Sequence, residues 1–87
     1  MQHELKTDPE VFDAVATGCK TFEIRRDDRG FELGDELILK RTRRAGAEMQ
    51  NGEPLEYTGE TETRTVTHLL RGPIYGLQPG WVILSIR

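Results

Sequence analysis

Apolar and polar residues alternate along much of this chain, and the places where the alternation breaks mark its elements. His3 to Lys6 predicts a first strand, with Glu4 and Lys6 on one face and His3 and Leu5 on the other. The period then changes. Val11, Phe12, Ala14 and Val15 form one apolar stripe, and Thr7-Asp8-Pro9-Glu10 supplies a helix start with a capping Asp8, a first-turn Pro9 and acidic residues at the positive end of the dipole. Gly18 ends the pattern, so one helix is expected over about 8–17. Thr21 to Arg26 returns to alternation. Here Phe22 and Ile24 are expected to be buried, and Thr21, Glu23 and Arg25 to be presented together.

Downstream, Arg26-Asp27-Asp28-Arg29-Gly30 reads as a turn. Glu36 to Arg41 predicts a third strand, entered through Gly34-Asp35. Residues 44–55 contain Gly46, Asn51-Gly52 and Pro54 and read as a loop or a long hairpin end. Glu56 to Leu70 predicts an exposed strand with Tyr57, Thr61, Thr63, Thr65 and Thr67 on one face, and Gly72-Pro73 breaks it. Gly80 to Ile86 is the most apolar strand, which assigns Trp81 to the core. One helix, about five strands and short links predict an α+β, mainly-β domain: a small, mostly antiparallel barrel with the helix at its mouth, occupying 1–87 as a single domain.

Charge sharpens this picture. The net charge of −3 argues against a globally basic nucleic-acid-binding surface. Yet Lys40-Arg41-Thr42-Arg43-Arg44 is a cationic run, and Arg25, Arg26 and Arg29 stand close to it in sequence. Residues 45–87 hold Arg64, Arg71 and Arg87 against Glu48, Glu53, Glu56, Glu60 and Glu62. A basic edge beside an acidic remainder suits a local anion site. The single Cys19 excludes an internal disulfide, and no Cys/His set has zinc-ligand spacing, so neither metal nor cofactor is expected. The absence of a leader-like start and of an apolar run of about 20 residues predicts a cytoplasmic protein without a membrane partner.

Lys20, Glu23 and Arg25 are the first candidates for chemistry. Arg offers a planar fork to an anion and Lys a compact charge, while Glu23 can orient Arg25, accept a hydrogen bond or act as a base. The alternative is a structural ion pair. His3 is a second acid/base candidate, and Lys6 shares its strand. Arg26, Lys40 and Arg41 are candidate phosphate contacts, the alternative being a solvated strand end. Tyr75 is the better stacking candidate beside Trp81.

The pattern Gly18-x-Lys20-x-x-Glu23-x-Arg25 resembles the signature of ASCH domains, a branch of the PUA-like β-barrels. His3-Glu4-Leu5-Lys6, Gly34-Asp35 and Tyr75-Gly76-Leu77-x-Pro79-Gly80-Trp81 narrow the resemblance to the bacterial and phage group DUF3850. The resemblance implies a barrel with a cleft beside the helix, lined by the motif's Lys, Glu and Arg, and an RNA, nucleotide or nucleoside ligand. One ASCH branch hydrolyses acetylated cytidine with a Lys, a Thr and a Glu; where that Thr stands, this sequence has Glu23, and Thr21 follows Lys20 directly. The leading expectation is an RNA- or nucleotide-binding module. A nucleoside- or RNA-processing hydrolase using Lys20 with Glu23 or His3 is the alternative, and a protein-interaction module is a third.

Overall fold

The computed structural model describes all residues, 1–87. Five strands and two helices follow in the order β1 (Gln2–Thr7), α1 (Pro9–Ala16), β2 (Phe22–Arg26), β3 (Glu36–Thr42), α2 (Gly46–Gln50), β4 (Tyr57–Arg71) and β5 (Trp81–Ile86). The five expected strands and the expected short helix over about 8–17 are all present. The fold is α+β and mainly β.

The strands form one sheet in the order β1-β3-β4-β5-β2. β1 runs parallel to β3, and the other pairings are antiparallel. β2 therefore pairs with β5 rather than with its sequence neighbour β3. The long β4 serves both halves: Tyr57 to Thr65 pair with β3, and Val66 to Arg71 pair with β5. Backbone pairing does not close the sheet, because β1 and β2 are left as its two edges.

The core lies on the inner face. Leu5 comes from β1, Leu37 and Leu39 from β3, Val66 from β4, and Val82, Leu84 and Ile86 from β5; Phe12 and Val15 of α1 and the loop residue Phe31 complete it. α1 packs against β3 and β4. Burying one such side chain contributes about 1.5–3 kcal/mol, and this core must offset the ordering of a short chain. β1 alternates as its sequence requires, with His3, Leu5 and Thr7 inward.

Two local expectations change. Asp8 stands at the N-cap of α1 but makes no side-chain cap bond. Its carboxylate instead accepts from the Gly46 N–H at 3.0 Å, and the Ala45 N–H donates to Glu48 Oε1 at 3.1 Å. These two bonds satisfy early donors of α2, so a stretch that reads as loop forms a short helix there. No helix is long and apolar enough to cross a membrane.

β2 reverses the facing expected of it. Glu23 is buried, 2% exposed, whereas Phe22 and Ile24 are 45% and 49% exposed. The inward position of this strand is thus a carboxylate, and its apolar side chains face out. A buried carboxylate is tolerated only with partners, and Glu23 has two, Lys20 and Arg25.

Candidate functional site

The end of α1 places the first member of the site. Gly18 takes φ +81°, a conformation open to glycine, and its N–H bonds Val15 O. The chain turns back so that the Lys20 N–H donates to Ala14 O at 3.0 Å. Lys20 is thereby held at the entry to β2 with its ammonium directed at the carboxylate that follows. Its Nζ lies 3.1 Å from Glu23 Oε1.

Arg25, two residues beyond Glu23 and on the same side of β2, donates from Nε to Glu23 Oε2 at 3.3 Å. Each oxygen of the buried carboxylate therefore faces its own cation. The Lys20 and Arg25 side chains are 18% and 22% exposed, against 3% for Glu23, so the cations form the surface and the anion the floor. The Gly-x-Lys-x-x-Glu-x-Arg spacing is a turn plus a strand that brings one carboxylate under two cations.

Arg25 also reaches across the open edge of the sheet. Its Nη2 donates to Lys6 O at 2.7 Å, and Arg29 Nη1 donates to Glu4 O at 3.0 Å. Side chains from β2 and its following turn thus satisfy carbonyls of β1 that no strand pairs. Between these edges lies a cleft of about 510 Å³. That volume falls within the roughly 300–1,000 Å³ of small-molecule sites. Five cationic residues line it, Lys6, Lys20, Arg25, Arg26 and Arg29, with three carboxylates, Asp8, Glu23 and Asp28. Leu5, Val11, Ile24, Phe31 and Trp81 supply its apolar wall. The cleft is cation-rich in a chain of net charge −3.

Lys6, Lys20, Glu23, Arg25 and Arg26 are therefore brought together. The other candidates are not. Lys40 stands 4.4 Å over the Tyr57 ring and 3.9 Å from Glu4. Arg41 forks onto Asp13 at 3.0 and 3.2 Å and has Glu60 at 3.7 Å. Its guanidinium holds the Asp13 carboxyl below the usual carboxylate range. Arg44 likewise pairs with Glu53 and Glu56, and its hydrogen bond lowers the Glu56 pKa. The basic run is compensated by carboxylates that sequence spacing did not connect to it. Tyr75 is 90% exposed in the β4–β5 connection, apart from the cleft.

His3 is buried, with its Nε2 2.8 Å from Asp35 Oδ2 and its ring 4.8 Å edge-on from Phe31. It does not line the cleft. Trp81 corrects an expectation: it is half-buried on the cleft wall, with the Arg26 guanidinium 5.3 Å from its ring, rather than in the core. Arg29, Asp28 and Trp81 are cleft residues that the motif did not reveal. The turn composition around 27–30 and the basic edge were the sequence signals for Asp28 and Arg29, and Trp81 was signalled only by its place beside Tyr75 in the Tyr75–Trp81 block. No group of three or more His, Cys, Asp and Glu residues is arranged to hold a metal ion.

Residues 2–86 match the family described as Domain of unknown function (DUF3850). The chain belongs to the DUF3850 family. A 37-residue stretch is 49% identical to the uncharacterized 12.9 kDa protein in the GpA 3' region of Escherichia phage P2, covering 42% of this chain and 34% of the phage protein. The match thus spans about a third of that relative's length. Within this DUF3850 chain the cleft brings the motif cations, the buried Glu23 and an aromatic wall into one place.

Proposed function

We propose that this DUF3850 protein is an RNA- or nucleotide-binding module of the ASCH, PUA-like type, and that the cleft between β1 and β2 is its ligand site. The observation that carries this reading is the cation-rich cleft over a buried, doubly paired Glu23, with Trp81 in its wall. Lys6, Arg26 and Arg29 have no carboxylate partner: Lys6 offers a phosphate a point charge and Arg26 a fork, while Arg29 borders the site with its Nη1 on Glu4 O. Trp81 gives a base or nucleoside an aromatic surface. The PUA-like assignment treats the Arg25 and Arg29 bridges as the closure of a barrel whose last seam is made by side chains. Such ligands fit a cytoplasmic protein.

Glu23 supports holding more directly than hydrolysis. With Lys20 on one oxygen and Arg25 on the other, its role is to fix two cations in register toward the cleft.

The test is a backbone amide NMR titration with a nucleoside monophosphate, acetylated cytidine and short single-stranded RNA. Shifts are expected at Lys6, Lys20, Glu23, Arg25 and Arg26, with affinity falling as salt rises. The folded triple variant Lys6→Ala, Arg26→Ala, Arg29→Ala is expected to lose binding at least tenfold. Unchanged affinity in that variant sinks the reading.

A further inference from the structure

The reversed facing of β2 leaves a surface that the cleft alone does not use. Antiparallel register sets Arg26 opposite Trp81 and Ile24 opposite Ile83, while Ile83 in turn lies opposite Leu70. With Phe22, which lies opposite Ser85, these outward side chains put three aliphatic residues, two aromatic rings and the Arg26 cation on one face. No Asp or Glu stands at an outward position of β2, β5 or the Val66–Arg71 part of β4, although the chain carries 15 such residues. Two cations overlie its aromatics: Lys20 Nζ is 4.9 Å from the Phe22 ring centre, and the Arg26 guanidinium is 5.3 Å from that of Trp81.

We infer that this face is a stacking platform for a single-stranded polynucleotide, so that the ligand of the cleft is a strand rather than a free mononucleotide. The inference rests on the cleft reading above and extends it. Bases bring apolar π-faces and the backbone brings negative charge, and the platform offers aromatic rings and cations with no acidic group to repel the phosphates. Lys20, Ile24, Arg26 and Trp81 line the cleft and border the platform as well, so the two are one continuous surface. A strand seated in the cleft by one nucleotide continues onto Phe22 without leaving cationic surface. Ile24 and Leu70 give the neighbouring bases apolar contact.

Binding of oligoadenylate and oligouridylate of one, two, four and six nucleotides separates the two readings. The single Trp81 supplies a fluorescence signal. Phe22 is exposed and lies outside the cleft lining, so Phe22→Ser is expected to fold, as circular dichroism checks, and Phe22→Tyr to retain stacking. Wild-type protein is expected to bind the tetramer at least tenfold more tightly than the mononucleotide. Phe22→Ser is expected to lose roughly tenfold on the tetramer, the scale of one stacked base, with mononucleotide affinity unchanged and Phe22→Tyr near wild type. A tetramer advantage that is absent, or that survives Phe22→Ser, overturns the platform while leaving the cleft reading intact. Failure to bind any of these ligands overturns both. Resonances of Phe22 and Ile24 that move only with a protein partner, and never with an oligonucleotide, overturn the platform and mark the face as a protein interface.

Discussion

His3 Nε2 donates to Asp35 Oδ2 at 2.8 Å, and both side chains are more than nine-tenths buried. The bond joins the first strand to the entry of the third, beside the parallel pairing of Gln2 with Glu36. His3, the Glu32 N–H and the Met1 amino group hold the Asp35 carboxyl down to about 2 from its ordinary 3.8. A carboxylate with a depressed folded-state pKa contributes stability above its unfolded pKa, and that contribution is lost as pH falls through the folded value. Thermal unfolding followed from pH 6 to pH 2 is therefore expected to show Tm falling between about pH 4 and pH 2. Asp35→Asn should be less stable at pH 6 and have a shallower acid slope. An unchanged slope in that variant would remove Asp35 as a source of the acid sensitivity.

The buried Glu23 predicts strong coupling with Arg25. Removing one partner of a buried ion pair costs about 3–5 kcal/mol, because the remaining charge is left uncompensated. Lys20 stays in place, so Arg25→Ala is expected at the lower end, about 3 kcal/mol by urea unfolding. Glu23→Gln made in the Arg25→Ala background should recover part of the loss. Strict additivity in this double-mutant cycle would mean that the pair is not coupled.

Gly72 predicts a steric limit. A Cβ built there would stand 2.0 Å from the main-chain oxygen of Gln78, which cannot swing away as a side chain would. Gly72→Ala is expected to destabilise by about 1–3 kcal/mol, the scale of overpacking. Gly76→Ala, at φ +85° with nothing within 4 Å, carries only a conformational penalty of about 1 kcal/mol. Chemical denaturation of the two variants should rank them in that order.

Arg41 predicts a contrast with the cleft cations. It is occupied by Asp13 and Glu60, whereas Lys6 faces the cleft without a carboxylate partner. Arg41→Ala is expected to change ligand affinity less than twofold, and Lys6→Ala to reduce it about threefold or more, as a phosphate contact should. Salt-dependent titrations of both variants check the ranking.

The elements were legible because they are local. Strand alternation and the Thr7-to-Gly18 helix signals placed five strands and α1 within a residue or two. Pairing was not legible in the same way. The parallel partnership of β1 with β3 and that of β2 with β5 join distant segments, while hairpin-length links suggest neighbours. The inner face of β2 misled alternation because Lys20 and Arg25 make a buried Glu23 tolerable, leaving Phe22 and Ile24 outside. Of the candidate site, the motif cations were legible mostly from the resemblance that Gly18-x-Lys20-x-x-Glu23-x-Arg25 carries and only partly from spacing. The contributions of Arg29 and Trp81 depend on the β1–β2 seam and on the antiparallel register. α2 was hidden because its anchor, Asp8, lies 38 residues away.

An open sheet ordinarily exposes two rows of unpaired backbone groups, each able to recruit a strand from another molecule. Here those two rows face each other across the cleft. Arg25 and Arg29 occupy carbonyls of β1 that an intruding strand would need. The cleft is thus also a guarded seam: the same arginines that border it deny the chain a template for edge-to-edge aggregation.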